Sequence, residues 1–298
     1  MTQQQRAYGF GLAAVLAWST VATAFKLSLV YLSPAQLLLY ASAASLLALL
    51  SILIYEGRLK EVLPAFRDNW RASLLFGAIN PFAYYLVLFK AYSLLPAQEA
   101  QAINYTWALT MTLLAVPFLK QTLKKNDIWA AVLCYLGVLV IATRGELLSL
   151  NFSNLTGVGL ALASTLLWAA YWILNAKDQR EPVLGLTLNF AISLPLTLVW
   201  CVINGELVSV RWQGLVGAAY IGAFEMGFTF VLWLFAMKLT YSTAKIANLI
   251  FLSPIISLFF IWLLIGETIL MSTLFGLGLI LLGLLAQKLP RSEVSYEG

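Results

Sequence analysis

GFGLAAVLAW at residues 9–18 and GVGLALASTLLW at 157–168 are two versions of one opening: a glycine pair, small and aliphatic residues, then a tryptophan, with two extra residues in the second copy. Each opening starts an apolar run, covering about 7–30 and 156–176. Outward from the first, apolar runs follow at about 34–54, 70–93, 97–118 and 128–143; outward from the second, at about 183–203, 212–236, 241–265 and 270–288. A helix needs about 20 mainly apolar residues to cross the hydrocarbon layer. The pattern therefore predicts five spans, a polar seam from Arg144 to Leu155, and five more. Because five is odd, the second set enters the bilayer from the opposite side. The predicted fold class is an all-α polytopic membrane protein with ten transmembrane helices as two inverted five-helix repeats, 1–148 and 149–298.

Composition supports a lipid solvent. The chain is 61% hydrophobic and 10% charged, with a mean hydropathy of +0.87, against about 45–50% apolar and about 25% charged in soluble domains. Barrel strands would alternate over about 10 residues, and no alternation is visible. The first run is too long for a secretory h-region and lacks a small-residue cleavage pattern, so it reads as a retained helix. Cys134 and Cys201 both fall inside spans, where thiols behave as small hydrophobes.

Charge sets the orientation. If the connections alternate sides, the side of the N-terminus receives thirteen of the eighteen Lys and Arg residues, among them Arg6, Arg58, Arg67, Arg71, Lys125 and Arg180. The other side receives Arg144 and Arg211, while Lys26, Lys90 and Lys245 lie within spans or at their ends. Basic residues stay cytoplasmic, which predicts an inner (cytoplasmic) membrane protein with both termini inside. The net charge of +5 then reflects topology and not a nucleic-acid partner.

Later landmarks also recur: Ala91 to Asn104 parallels Ala236 to Asn248, and Leu136-Gly137 matches Leu282-Gly283. The stretch from Ala236 through Ser242, Ala244, Asn248, Pro254 and Gly266-Glu267 to Gly276, Gly278 and Gly283 resembles the C-terminal repeat of the drug/metabolite transporter superfamily, EamA-type. The first half departs from that pattern, with Thr110 in place of Pro254 and Lys120 to Lys125 in place of Gly266-Glu267. The density of Trp and Tyr is similar to that of YddG-like exporters of aromatic amino acids and cationic drugs. The resemblance implies a secondary transporter that exports its substrate. Inverted repeats place such a substrate site at their interface near the midplane.

Candidate site residues are those that break the hydrocarbon pattern. Gln101, Asn104, Tyr105 and Ala108 follow helical spacing and share a face, with Trp107 flanking it. Asn80 and Tyr84 bracket Pro81, which removes a backbone donor; Pro81 and Pro254 are the candidate hinges. Trp168, Tyr171, Trp172 and Asn175 repeat the spacing on the sixth span. Trp70, Trp129 and Trp212 begin spans and suit the interfacial belt. Trp18, Trp107 and Trp168 lie deeper, either as cavity walls for flat apolar or cationic groups or as helix packing. With Asn248 beside Asn80 and Gln101, such a cavity would hydrogen-bond an amino-acid backbone.

Glu225 is the carboxylate nearest a span centre, readable as a proton carrier, as an ammonium anchor, or as a paired structural glutamate. Lys245 either meets a substrate carboxylate or snorkels to water. The chain has no histidine, no metal-ligand spacing and no phosphate-binding glycine loop, so no metal, cofactor, catalytic residue or direct nucleotide coupling is expected. The expected partners are a small-molecule substrate and the lipid bilayer, for a monomer. An alternative is transport of another small metabolite or channel-like facilitation. An enzyme or a sensor fits least.

Overall fold

The computed structural model describes residues 2–120, 122, 125–148, 152, 154–175, 178–241, 246 and 249–288. Among the described residues the chain folds into ten helical segments. They are α1 (Gln3–Ser28), α2 (Pro34–Tyr55), α3 (Leu59–Leu94), α4 in two pieces (Ala97–Asn104 and Trp107–Leu119) and α5 (Lys125–Ala142), followed by α6 (Leu155–Asn175), α7 (Pro182–Ile203), α8 (Trp212–Leu239), α9 (Leu249–Ile265) and α10 (Met271–Lys288). Seven of them are long and apolar enough to cross a membrane; α4, in two pieces, and the shorter apolar stretches of α9 and α10 complete the set. The chain is an all-α polytopic membrane protein.

The helix starts are set locally. Before α2, the Ser33 hydroxyl accepts from the Gln36 amide at 3.2 Å, the Gln36 side chain accepts from the Ser33 amide at 2.9 Å, and Pro34 fills the first turn, where no amide is needed. Before α7 the Glu181 carboxylate accepts from the Leu184 amide at 2.8 Å, with Pro182 again filling the first turn. The third segment starts earlier than the apolar run suggested, at Leu59 instead of about residue 70. Residues 62–72 are an amphipathic approach to the span, too polar for a hydropathy reading to include.

Contacts between connections fall into two sets, one at each end of the bundle. At the end where the chain begins, Gln4 meets Thr240 and Tyr241, and Arg58 pairs with Glu181 at 3.3 Å. At the far end, Gln36 donates to the Glu206 carbonyl at 2.7 Å and Gln98 holds Thr268 and Leu270. Every one of these joins connections that an up-and-down path of ten spans puts on the same side.

Packing also repeats between halves. α1 packs on α8 as α6 packs on α3, α2 on α8 as α7 on α3, and α1 on α9 as α6 on α4. α5 and α10 form a separate tight seam. A Cβ on Gly137 would lie 2.5 Å from the Gly276 carbonyl, and one on Gly283 would lie 2.9 Å from the Ala130 carbonyl. The shift that carries Gly137 onto Gly283 also carries Ala130 onto Gly276, so the two close approaches are one contact made twice. Small residues allow such approach between membrane helices.

Candidate functional site

Five segments are broken, and the breaks cluster in the middle of the bundle. α1 changes direction at Thr20, between Gln3–Ser19 and Val21–Ser28. α3 passes through a π turn, Ala78–Ala83, in which Asn80 leaves helical geometry (φ −142°, ψ 118°) before a cis bond to Pro81. α4 breaks at Tyr105 and Thr106, α8 at Glu225 to Gly227, and α9 begins as a tight turn, Leu249–Phe251, before its helix starts at Leu252. A break frees carbonyls that lipid cannot satisfy, so it is tolerated only where protein supplies partners. Hydroxyls do so here: Thr20 donates to the Ala17 carbonyl at 2.7 Å, Thr106 to the Ile103 carbonyl at 2.8 Å, and Thr229 to the Phe224 carbonyl.

The aromatic wall assembles between α3, α4 and α6. The Tyr84 and Trp168 rings lie 4.5 Å apart at 30°, and Trp168 stacks on Tyr171 at 5.8 Å and 27°. Trp107 and Trp172 present their edges to Trp168 at 6.4 and 5.8 Å, and Phe76 meets Tyr171 edge-on. Offset and edge contacts of this kind are each worth about 0.5–1.5 kcal/mol beyond burial. Trp107 and Trp168 are therefore members of one ring cluster.

Polar atoms accompany the rings. Asn104 donates to the Ser164 hydroxyl at 3.0 Å and lies beside the Tyr84 hydroxyl, while Tyr105 lies beside Ser253, next to Pro254. Asn80 Oδ1, Gln101 Oε1 and Trp172 Nε1 are buried and make no hydrogen bond among the described residues. A buried polar atom without a partner costs about 1–3 kcal/mol. Asn80 lies beside Tyr171 and Trp172 beside Trp168, so two of the three border the aromatic cluster.

Glu225 sits in the α8 break, half-buried, and accepts a hydrogen bond of 3.0 Å from the Tyr85 hydroxyl. Tyr85 is fully buried and lies edge-on to Tyr84 at 4.7 Å. One phenol thus links the carboxylate to the aromatic wall.

Some expectations change. Trp18 does not join the Tyr84–Trp168 group: it packs on Phe230 and Trp233 of α8 at 5.7 and 5.4 Å and reaches the centre through its indole N–H on the Glu225 carbonyl at 3.5 Å. The single face drawn through Gln101, Asn104, Tyr105 and Ala108 is interrupted, because α4 turns at Tyr105 and Thr106 and Trp107 starts a new helix. Tyr85 escaped the sequence reading because an α-helical period was carried through Pro81, whereas a π turn adds a residue and rotates the helix beyond it. Pro81 lies inside the π turn of α3, whereas Pro254 lies in the first turn of the helix Leu252–Phe260. Lys245 and Asn248 lie outside the described residues.

Broken membrane helices around a buried aromatic and polar centre describe a multi-pass membrane protein. A profile of the EamA-like transporter family matches twice, over residues 5–143 and again over 155–286. The chain belongs to the EamA-like transporter family, within the drug/metabolite transporter superfamily, and is a transporter. It is 25% identical over 276 residues to an uncharacterized transporter of Archaeoglobus fulgidus, covering 90% of this chain and 93% of that one. It is 22% identical to the uncharacterized transporter YoaV of Bacillus subtilis over 73% of this chain and 75% of the relative. A solved crystal structure shares the fold with a TM-score of 0.65 at 20% identity, over 95% of this chain and 96% of the other.

Proposed function

We propose that the protein is a secondary transporter exporting amino acids, aromatic or large neutral ones, with planar cationic drugs as further substrates, by alternating access between two inverted five-helix repeats. The observation that carries the substrate class is the pairing of the Tyr84–Trp168–Tyr171 wall with the unpaired Asn80 Oδ1 and Gln101 Oε1. The rings offer stacking to a flat side chain. The amide oxygens accept from an α-ammonium group. Asn104 and Tyr105 orient the ligand from α4, and Trp107 closes the wall at its edge. Glu225, bonded to Tyr85, is the coupling group, exchanging a proton as the site changes sides. Pro81 and Pro254 act as hinges.

The two family matches and the repeated packing relations support the inverted repeats. The basic residues at the end bearing the N-terminus support cytoplasmic termini in an inner membrane. The protein acts as a monomer, with the seam of α5 and α10 holding the two halves together. Reconstitution in liposomes with labelled phenylalanine, tryptophan, leucine and glutamate, with and without a pH gradient, tests the reading. Saturable flux of the first three, accelerated by counter-substrate, is expected; linear flux without counter-stimulation would indicate a channel, and no flux would remove the substrate class.

A further inference from the structure

A charged cavity of about 470 Å³ opens at the far end of the bundle, lined among others by Lys26, Pro96, Gln98, Arg144 and Glu267. It shares no residue with the aromatic centre. The Lys26 ammonium turns inward, donating to the Tyr92 carbonyl at 2.9 Å and the Leu95 carbonyl at 2.6 Å. One of its three N–H groups remains for another acceptor.

Arg144 is held with unusual care. The α5 helix ends in a left-handed turn in which the Gly145 amide bonds back to Val140 and the Arg144 amide to Ile141. The left-handed position, φ 53°, is taken by Arg144, where glycine is the usual occupant. A non-glycine residue there costs about 1–2 kcal/mol. In return the guanidinium lies over the chain start of α4, where its Nε donates to the fully buried Glu99 at 3.0 Å. Its two terminal nitrogens make no hydrogen bond to the described residues, and half of the side chain is exposed.

Glu267 supplies the opposite charge. Its carboxylate accepts from the Ala97 amide at 2.9 Å and the Gln98 amide at 3.4 Å, capping α4 from the α9–α10 connection. Gln98 answers by donating to the Thr268 carbonyl and accepting from the Leu270 amide. The cavity wall carries Lys26, Arg144 and Glu267, and with the buried Glu99 that pairs with Arg144 from behind the charges balance, leaving spare donors on both cations and spare lone pairs on Glu267. A net anion or a net cation would upset that balance; a zwitterion would not.

We propose that this cavity binds small zwitterions carrying a carboxylate and an ammonium, the carboxylate against Arg144 and Lys26 and the ammonium against Glu267. It is a second site, at the end of the path opposite the termini. The ligand chemistry follows from the cavity's own charges and holds whether or not the aromatic centre transports amino acids.

The test is protection from labelling. Thr268 is exposed on the cavity wall, and Cys134 and Cys201 are buried within the spans. In Thr268→Cys protein in nanodiscs, reaction with a membrane-impermeant thiosulfonate should be slowed by L-phenylalanine. Phenylalaninamide lacks the carboxylate and N-acetylphenylalanine lacks the ammonium, so each should protect at least about tenfold less well, the equivalent of one lost charged contact of about 1.4 kcal/mol. Equal protection by either analogue, or none by L-phenylalanine, overturns the proposal. Arg144→Gln should raise the half-protecting concentration by a similar factor and Arg144→Lys should restore part of it; the analogue series needs neither variant to fold. Trp168→Ala should leave protection intact. Protection without any saturable flux would defeat the central substrate reading alone, and flux without protection would defeat only this one.

Discussion

The α5/α10 seam and the aromatic centre use the repeated sequence in opposite ways. At the seam the two halves contribute the same thing: Gly137 on Gly276, and Ala130 on Gly283, are one backbone contact reproduced by the repeat. At the centre they contribute different things. The first half brings Asn80, Tyr84, Tyr85 and the α4 break; the second brings Trp168, Tyr171 and Glu225. Repetition suits a scaffold, because two equal surfaces close on each other. A ligand has no such symmetry, so the residues proposed to grip it differ between the halves.

If that contrast is right, substitutions at the seam act on folding and those at the centre act on flux. The largest effect is expected from Gly137→Leu. Its Cβ would lie 2.5 Å from a backbone carbonyl, which cannot rotate away as a side chain can. Overpacking costs typically about 1–3 kcal/mol and more where backbone must move, so little folded protein should be recovered in size-exclusion chromatography. Gly278, on the same helix as Gly276, has no atom within 4 Å of an added Cβ. Gly278→Leu should therefore yield protein like the parent, and comparable losses for both would dissolve the seam as a distinct region.

Next is Trp168→Ala. The ring touches Tyr84, Tyr171, Trp107 and Trp172, so its loss opens the wall on several sides at once. At about 0.5–1.5 kcal/mol per aromatic contact, substrate affinity should fall about tenfold or more with the fold retained. Flux in proteoliposomes at matched protein levels measures it. A collapse in thermal stability with unchanged KM would mean that the ring packs and does not bind.

The carboxylate sharpens the comparison further. Glu225→Gln keeps the shape and the acceptor for Tyr85 but cannot exchange a proton, so flux should lose its response to a pH gradient while counterflow continues. Tyr85→Phe leaves the ring and removes the donor; a few-fold loss of flux is expected, in keeping with the roughly 1.5–3 kcal/mol of a hydrogen bond to a charged group less the part that water recovers. An unchanged pH profile in Glu225→Gln would remove it as the coupling group.

What could be read in advance followed a physical divide. The ten segments and their up-and-down path were legible because burial in lipid demands length and apolarity, which hydropathy registers directly. Asn80, Tyr84, Trp107 and Trp168 could be singled out as candidates because polar and large aromatic side chains stand out deep in an apolar span. The partners that tie them together were not. Tyr85 meets Glu225 only because α3 and α8 both break, and Trp18 turns to Phe230 and Trp233 because α8 shifts at Gly227. A helical period assumes unbroken helices, so it fails at the breaks where the site is built. The inward turn of Lys26 onto the end of α3 was hidden for a related reason: near a helix end, sequence alone cannot tell a snorkelling lysine from one that finds protein carbonyls first.

Trp70→Ala should have the smallest effect, and it sets the baseline against which the others count. Trp70 is about half exposed on α3, with the Arg71 guanidinium 5.3 Å from its ring centre and no contact with the Tyr84–Trp168 group. An exposed cation–π pair is worth about 0.5–1 kcal/mol, which in thermal unfolding would be a small shift. Its removal takes nothing from the wall or from Glu225, so KM and maximal flux should match the parent. Were Trp70→Ala to depress flux as much as Trp168→Ala at equal expression, tryptophan loss in this bundle would be a general injury and the aromatic centre would have no special claim to the substrate.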